Sequence, residues 1–346
     1  MSCYNSYLDT FITIILTVIL TLIAEYFINQ VKKKLEKIKI ETIGKNLSKI
    51  NELINPLTIV QFGKFTPGSI EIHVIGSKSP SEDVKKIIEA HKSDFESELG
   101  FYDNEIFGVT KILFEKVREK EEPHLEIYGY RVYYFEFLAT NANIKLRNDL
   151  NKNERDWLLS KTANYEPEIP IKEFANPLSV EVLLLCEGGK KVVLTKRSKT
   201  TVFRGGLIGP SVMETVSPNL SEGLNDIAQI DIFETIRRGI KEELGINKDE
   251  LEDSIVILGL AFDKEVFDYK FIVLAETLLS EEEIKSRFNM GIPRDRYENP
   301  ELLIYDFPFP IKNILNSKQK YSPEAVACLI LSIAFLKGWK YVKKKL

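Results

Sequence analysis

One stretch near the amino end constrains this chain more than any other. From Leu8 to Asn29 it reads LDTFITIILTVILTLIAEYFIN. The apolar part, Phe11 to Ile28, contains one charged residue, Glu25, and would extend about 27 Å as a helix. With its flanks it matches a hydrocarbon layer of roughly 30 Å. No Lys or Arg precedes it and no small-x-small cleavage site follows, so a removable secretory leader does not fit. Lys32, Lys33, Lys34, Lys37 and Lys39 come directly after it. The positive-inside rule then places that flank and the rest of the chain in the cytosol. The expectation is a single-pass membrane anchor at residues 8–29. Thr13, Thr17 and Thr21 form a small-polar stripe along it. The stripe fits self-association in the bilayer, and equally hydroxyls bonding their own helix.

Composition narrows the chemistry of the remainder. The chain has 346 residues, 44% of them hydrophobic, enough for a packed core and about two domains. A net charge of -4 argues against a nucleic-acid polymer held by overall charge. Three Cys occur with no CxxC pair, and three His, His73, His91 and His124, lie far apart in sequence. A disulfide scaffold, a Cys-rich zinc site and a multi-His metal site do not fit this pattern. Carboxylates and arginines are left as the candidate site groups.

After the anchor, residues 30–55 read as a Lys-rich helical stalk, and residues 56–170 as an α+β segment. In that segment Ile70–Val74 alternates like a strand. Pro80–Leu99 is amphipathic with Ser79 as N-cap. Glu105–Phe114 and the aromatic run His124–Ala139 read as strands, and 145–161 as a helix. A second domain, 171–346, begins with a hairpin, Val180–Cys186 and Lys191–Thr195 flanking Gly188-Gly189. A loop with Gly205, Gly206 and Gly209 follows. Asp231–Leu244 is a helix closed by Gly245. Ser254–Phe262 and Tyr269–Ala275 are strands, and Ser280–Phe288 is a helix. Ser322-Pro323 opens a last, buried helix that runs to about Tyr341.

The stretch Arg238-Gly-Ile-Lys-Glu-Glu-Leu-Gly-Ile246 resembles the end of the Nudix box, Arg-Glu-apolar-x-Glu-Glu-x-Gly-apolar. The hairpin, glycine loop, helix and two later strands come in the order of that superfamily. The resemblance covers about 176–340 and implies an α/β/α sandwich. The whole chain is then an α+β protein: one transmembrane helix, then a cytosolic Nudix-like sandwich with an added α+β segment. Carboxylates at i, i+3 and i+4 of a helix share one face and can hold Mg²⁺ on a diphosphate. In the family the first of the three matters most, and here that position is Gly239. Glu242 and Glu243 remain as metal ligands if the box still binds Mg²⁺. Asp231 lies about 16 Å from Glu242 along the helix and Glu234 points elsewhere, whereas Glu214, Glu281 or Glu282 could reach. Arg238 either pairs Glu242 at i+4 or binds ligand. Arg197 and Arg204, before the glycine loop, are candidate phosphate forks or solvated surface charges.

A Nudix-like domain on an anchor, with an incomplete box, is similar to the membrane-anchored NUDIX effectors of bacterial cyclic-oligonucleotide antiphage (CBASS) systems. That resemblance implies an inner-membrane effector. Its ligand set would be Arg238, Glu242, Glu243, Arg197 and Arg204, its ligand a cyclic nucleotide or another phosphate-bearing molecule. Its further partners would be the lipid bilayer and other copies of itself, with no catalytic residue, and its helices would cluster to perturb the membrane. The competing reading is a membrane-tethered, Mg²⁺-dependent hydrolase of nucleoside diphosphate derivatives.

Overall fold

The strand SVEVLLLC is poorly suited to face water on either side, since its side-chain rows are apolar apart from one serine and one glutamate. The computed structural model describes residues 25–26, 28–97, 103–115, 123–142, 151–199, 201, 204–218, 228–251, 255–290, 299–316 and 320–345. In it this strand, β5 (Leu178–Cys186), is buried along its whole length near the centre of an eight-stranded sheet. The sheet order is β1 (Leu57–Phe65), β10 (Val256–Asp263), β11 (Asp268–Glu276), β5, β6 (Lys191–Lys196), β12 (Glu301–Asp306). β7 (Ile208–Gly209) and β8 (Val212–Thr215) pair with β6 and β5. β5 and β11 run parallel; the other pairs are antiparallel. A smaller sheet has the order β3 (Glu105–Glu115), β4 (His124–Tyr133), β2 (Ile70–Ser77), β9 (Ala228–Gln229).

Each face of the large sheet has its own core. Val180, Val182, Leu184 and Cys186 point to one core, shared with the small sheet and with α6 (Ile232–Leu244). Leu183 and Leu185 point to the other, shared with α2 (Leu47–Ile54) and α9 (Pro323–Lys337). The remaining helices of the described residues are α1 (residues 28–44), α3 (Glu82–Ser97), α4 (Tyr134–Ala139), α5 (Lys152–Thr162), α7 (Glu281–Asn289), α8 (Ile311–Asn316) and α10 (Trp339–Lys345).

The transmembrane part of the expected fold class is corrected. Among the described residues no helix is long and apolar enough to cross a membrane. The expected span at 8–29 lies almost wholly outside those residues. α1 carries lysines at 32, 33, 34, 37 and 39. α9, a strongly apolar helix, has 15 residues and is about 22 Å long, short of a bilayer, and its Glu324–Phe335 stretch is buried in the protein. The observed class is mixed α/β. β1, from the segment preceding the expected second domain, is an edge strand of the large sheet, and β9 joins the small one.

Other local differences have visible causes. The run His124–Ala139 leaves the strand at Tyr133, because the Phe135 N–H donates to Asp103 Oδ1 at 2.8 Å and starts α4. Ser81, not Ser79, caps α3, its hydroxyl accepting from the Val84 N–H at 3.4 Å. Gly338 at φ 87° ends α9, and α10 restarts at Trp339.

Candidate functional site

Asp231 opens α6: its Oδ1 accepts from the N–H of Phe233 (2.9 Å) and of Glu234 (3.3 Å). Gly245 closes it in the left-handed region at φ 70°. Between them Phe233, Ile236, Ile240 and Leu244 bury one stripe in the core, so the register of every polar residue on the helix is fixed.

Gly239 faces β8. A Cβ placed there would lie 3.0 Å from Glu214 Cβ and 3.0 Å from Val212 Cγ1. The position where the resemblance expects the leading carboxylate is therefore occupied by a strand. Arg238, next to it, pairs with Glu214 through Nη2 and Oε1 at 2.8 Å, rather than with Glu242 one turn along its own helix. Glu243 is buried, and both of its oxygens accept protein hydrogen bonds. Oε1 takes the Met213 N–H at 2.9 Å and Oε2 the Asn299 side-chain amide at 2.8 Å. Arg197 arrives from the end of β6, buried, with Nη1 3.3 Å from Met213 Sδ. Met213-Glu214 thus gathers Arg197, Arg238, Gly239 and Glu243.

Glu242 points outward, into a cleft of about 880 Å³ lined by Glu234, Arg237, Arg238, Lys241, Glu242, Asn247, Lys248 and Asp249. Glu234 pairs with both Arg237 (2.7 Å) and Lys248 (2.9 Å), which hold its carboxyl below the usual range, the lysine hydrogen bond contributing most. Among the described residues, four cationic and three anionic side chains line the cleft, an excess of one positive charge.

Arg204 lies elsewhere. Its backbone is left-handed at φ 57°, and its guanidinium pairs with Asp263 (2.8 Å), Glu265 and Glu324 (3.6 Å) on the α9 side of the sheet. Glu281 is bound to Lys191 and Lys285, and Lys191 is at the opposite end of β6 from Arg197. Residues 219–227 lie outside the described residues, and Glu282 is exposed on α7. Sequence reasoning missed Asn299, 56 residues from Glu243, and the buried groups around Arg204. A Glu in β5 and a Lys in β11, each inside an apolar run, were the only hints of the latter.

The donor set does not fit a Mg²⁺ site of the kind the resemblance implies. Gly239 supplies no oxygen, Glu243 has both oxygens engaged by N–H donors, and Glu214 is paired with Arg238. Among the described residues no group of three or more His, Cys, Asp or Glu is arranged to hold a metal ion. The arrangement can instead present guanidinium and ammonium groups to an anion entering the cleft.

No family model matches the chain, and no curated protein matches it. Solved structures similar to it include a protein of Deinococcus radiodurans, at 14% identity over 41% of this chain and 74% of that one, with a TM-score of 0.28. An Ap4A hydrolase of C. elegans is similar at 17% identity over 47% of this chain and 99% of that one, TM-score 0.29. A mutT/nudix family protein of Listeria innocua is similar at 14% identity over 48% and 98%, TM-score 0.30.

Proposed function

We propose that this chain binds a phosphate-bearing small molecule, a nucleotide, in the cleft along α6 and leaves it unhydrolysed. The observation that carries this reading is the contact at Gly239, where β8 and Glu214 fill the place of a catalytic carboxylate. Arg237, Arg238, Lys241 and Lys248 supply the cationic groups that phosphate oxygens need. The ion pairs of Arg237 and Arg238 are partly exposed and therefore cheap to exchange for a phosphate. The resemblance makes a cyclic oligonucleotide the first ligand to test, and an antiphage effector that self-associates on binding the role it would serve. Ligand-driven assembly requires tighter binding to the assembled form than to the single chain.

The test is calorimetry on the full chain with cyclic and linear nucleotides, with Mg²⁺ present. Binding is expected, weakened about tenfold or more in Arg238→Ala and in Lys241→Ala. Mg²⁺-dependent turnover of a nucleoside diphosphate derivative, lost in Glu242→Gln, would overturn it in favour of the hydrolase.

A further inference from the structure

Helix α1 carries a surface that the cleft does not use. At 100° per residue, Ile28, Val31, Leu35 and Ile38 fall within about 80° of one another around the helix. They are 53%, 57%, 55% and 51% exposed, four of the large aliphatic side chains left most open in the described structure. The side that meets the body is a different one. Glu36 pairs with Lys64 at 3.0 Å, and Ile43 is fully buried. Lys32 and Lys34, both exposed, each lie about 40° beyond one edge of the aliphatic stripe.

A second basic segment joins it from the other end of the chain. Lys39 Nζ donates to the Leu336 carbonyl at 3.1 Å, which brings the end of α9 to α1. Three residues on, α10 begins, with Lys343, Lys344 and Lys345 exposed in its last turn and no acidic residue within it. In a chain of net charge -4, Lys32 and Lys34 thus flank an open aliphatic stripe, and Lys343–Lys345 follow the helix end that meets α1.

We propose that this face docks on an anionic lipid surface, with α1 lying in the headgroup region of one leaflet. Aliphatic side chains enter the acyl boundary while flanking lysines meet lipid phosphates, the division of labour of an interfacial helix. The contact is with a surface and involves no span. A nucleic acid would use the lysines and leave four aliphatic side chains without a role. A second copy would use the stripe at its 3-4-3 spacing. In a parallel pair, however, Lys34 of one helix would face Lys39 of the next, a like-charge contact.

The test is co-sedimentation of the full chain with vesicles of phosphatidylcholine, alone or with about one third phosphatidylglycerol. The wild type is expected to prefer the anionic vesicles, and to release as salt rises. Joint Ile28→Ser, Val31→Ser, Leu35→Ser and Ile38→Ser should lower partitioning more than about tenfold. Because all four are exposed, the fold is retained, which circular dichroism checks. Independently, Lys32→Gln, Lys34→Gln and Lys343→Gln should each cost about fivefold at low salt. Undiminished partitioning of the serine variant overturns the proposal, as does equal affinity for the two vesicle types. So does a polynucleotide that displaces the vesicles at equal phosphate, or a lipid-free dimer that the serines abolish while vesicle binding stays unchanged.

Discussion

A Cβ at position 239 would meet Glu214 and Val212 at 3.0 Å, closer than side chains pack without something giving way. Gly239 also costs about 1 kcal/mol against Ala in a helix interior. The helix accepts that cost because only glycine lets α6 approach β8 this closely. Gly239→Glu would restore the carboxylate of the Nudix pattern, but its side chain must displace Glu214 and so free Arg238. Overpacking of this kind costs about 1–3 kcal/mol and outweighs the propensity gained. The expected outcome in urea is a lower midpoint at unchanged slope, with no Mg²⁺-dependent turnover. A rise in midpoint, or hydrolysis, would mean that the strand yields and that a carboxylate can be seated at this position. Glu242 and Glu243 show how far the pattern could be read. Their motif named both. In the structure the Ile236, Ile240, Leu244 stripe sets Glu243 on the inner face and Glu242 off it, a split the motif alone did not make. The Asn299 partner was beyond any local rule.

At the scale of elements, the helix and hairpin that frame the cleft were legible because their ends carry their own signals. Asp231 and Gly245 bound α6, Ser280 and Glu283 form a capping box on α7, and Gly188-Gly189 turns the hairpin. α4 was read as strand because its aromatic residues suit either state, and its start depends on Asp103, far back in the sequence. Equally hidden was the charged cluster that ties the glycine loop, β5, β10, β11 and α9 together. Lys270 lies 2.7 Å from Asp268, 3.4 Å from Glu181 and 3.9 Å from Glu324, and Arg204 pairs with Asp263 and Glu324. Burial pushes Glu181 up to about 8 and Asp268 up to about 7, while Glu324, between the two cations, is held low despite its burial. Burial thus favours the protonated forms of Glu181 and Asp268, and the two cations favour the charged form of Glu324. A carboxyl raised in the folded state favours folding below its ordinary value of 4.5, and that contribution is lost as pH rises through about 8. Glu181→Gln should make stability fall less steeply between pH 5 and 8, by about one proton. Urea titrations of both proteins across that range would measure it, and equal slopes would show that Glu181 ionises without cost.

Across the whole molecule, the segment before residue 171 is part of the same sheet as the cleft. β1 pairs with β10 from Leu57↔Asp263 to Phe65↔Ile257 and covers an edge that is otherwise open. Leu57, Ile59 and Phe65 are buried, as are Ile50 and Ile54 of α2 against α9. Burial of such side chains stabilises by about 1.5–3 kcal/mol each. Five of them together contribute about 7.5–15 kcal/mol, comparable with the roughly 5–15 kcal/mol by which a typical domain is stable. The cleft lies wholly after residue 230, so sequence alone invites its isolation as residues 171–346. That fragment should fail to fold, because β10 loses its neighbour and α9 loses part of its cover. The expected result is a species without cooperative unfolding, binding a hydrophobic dye, while the full chain unfolds in one transition. Cooperative unfolding of the fragment, with near-ultraviolet dichroism like that of the full chain, would show instead that β1 and α2 only decorate a self-sufficient sheet.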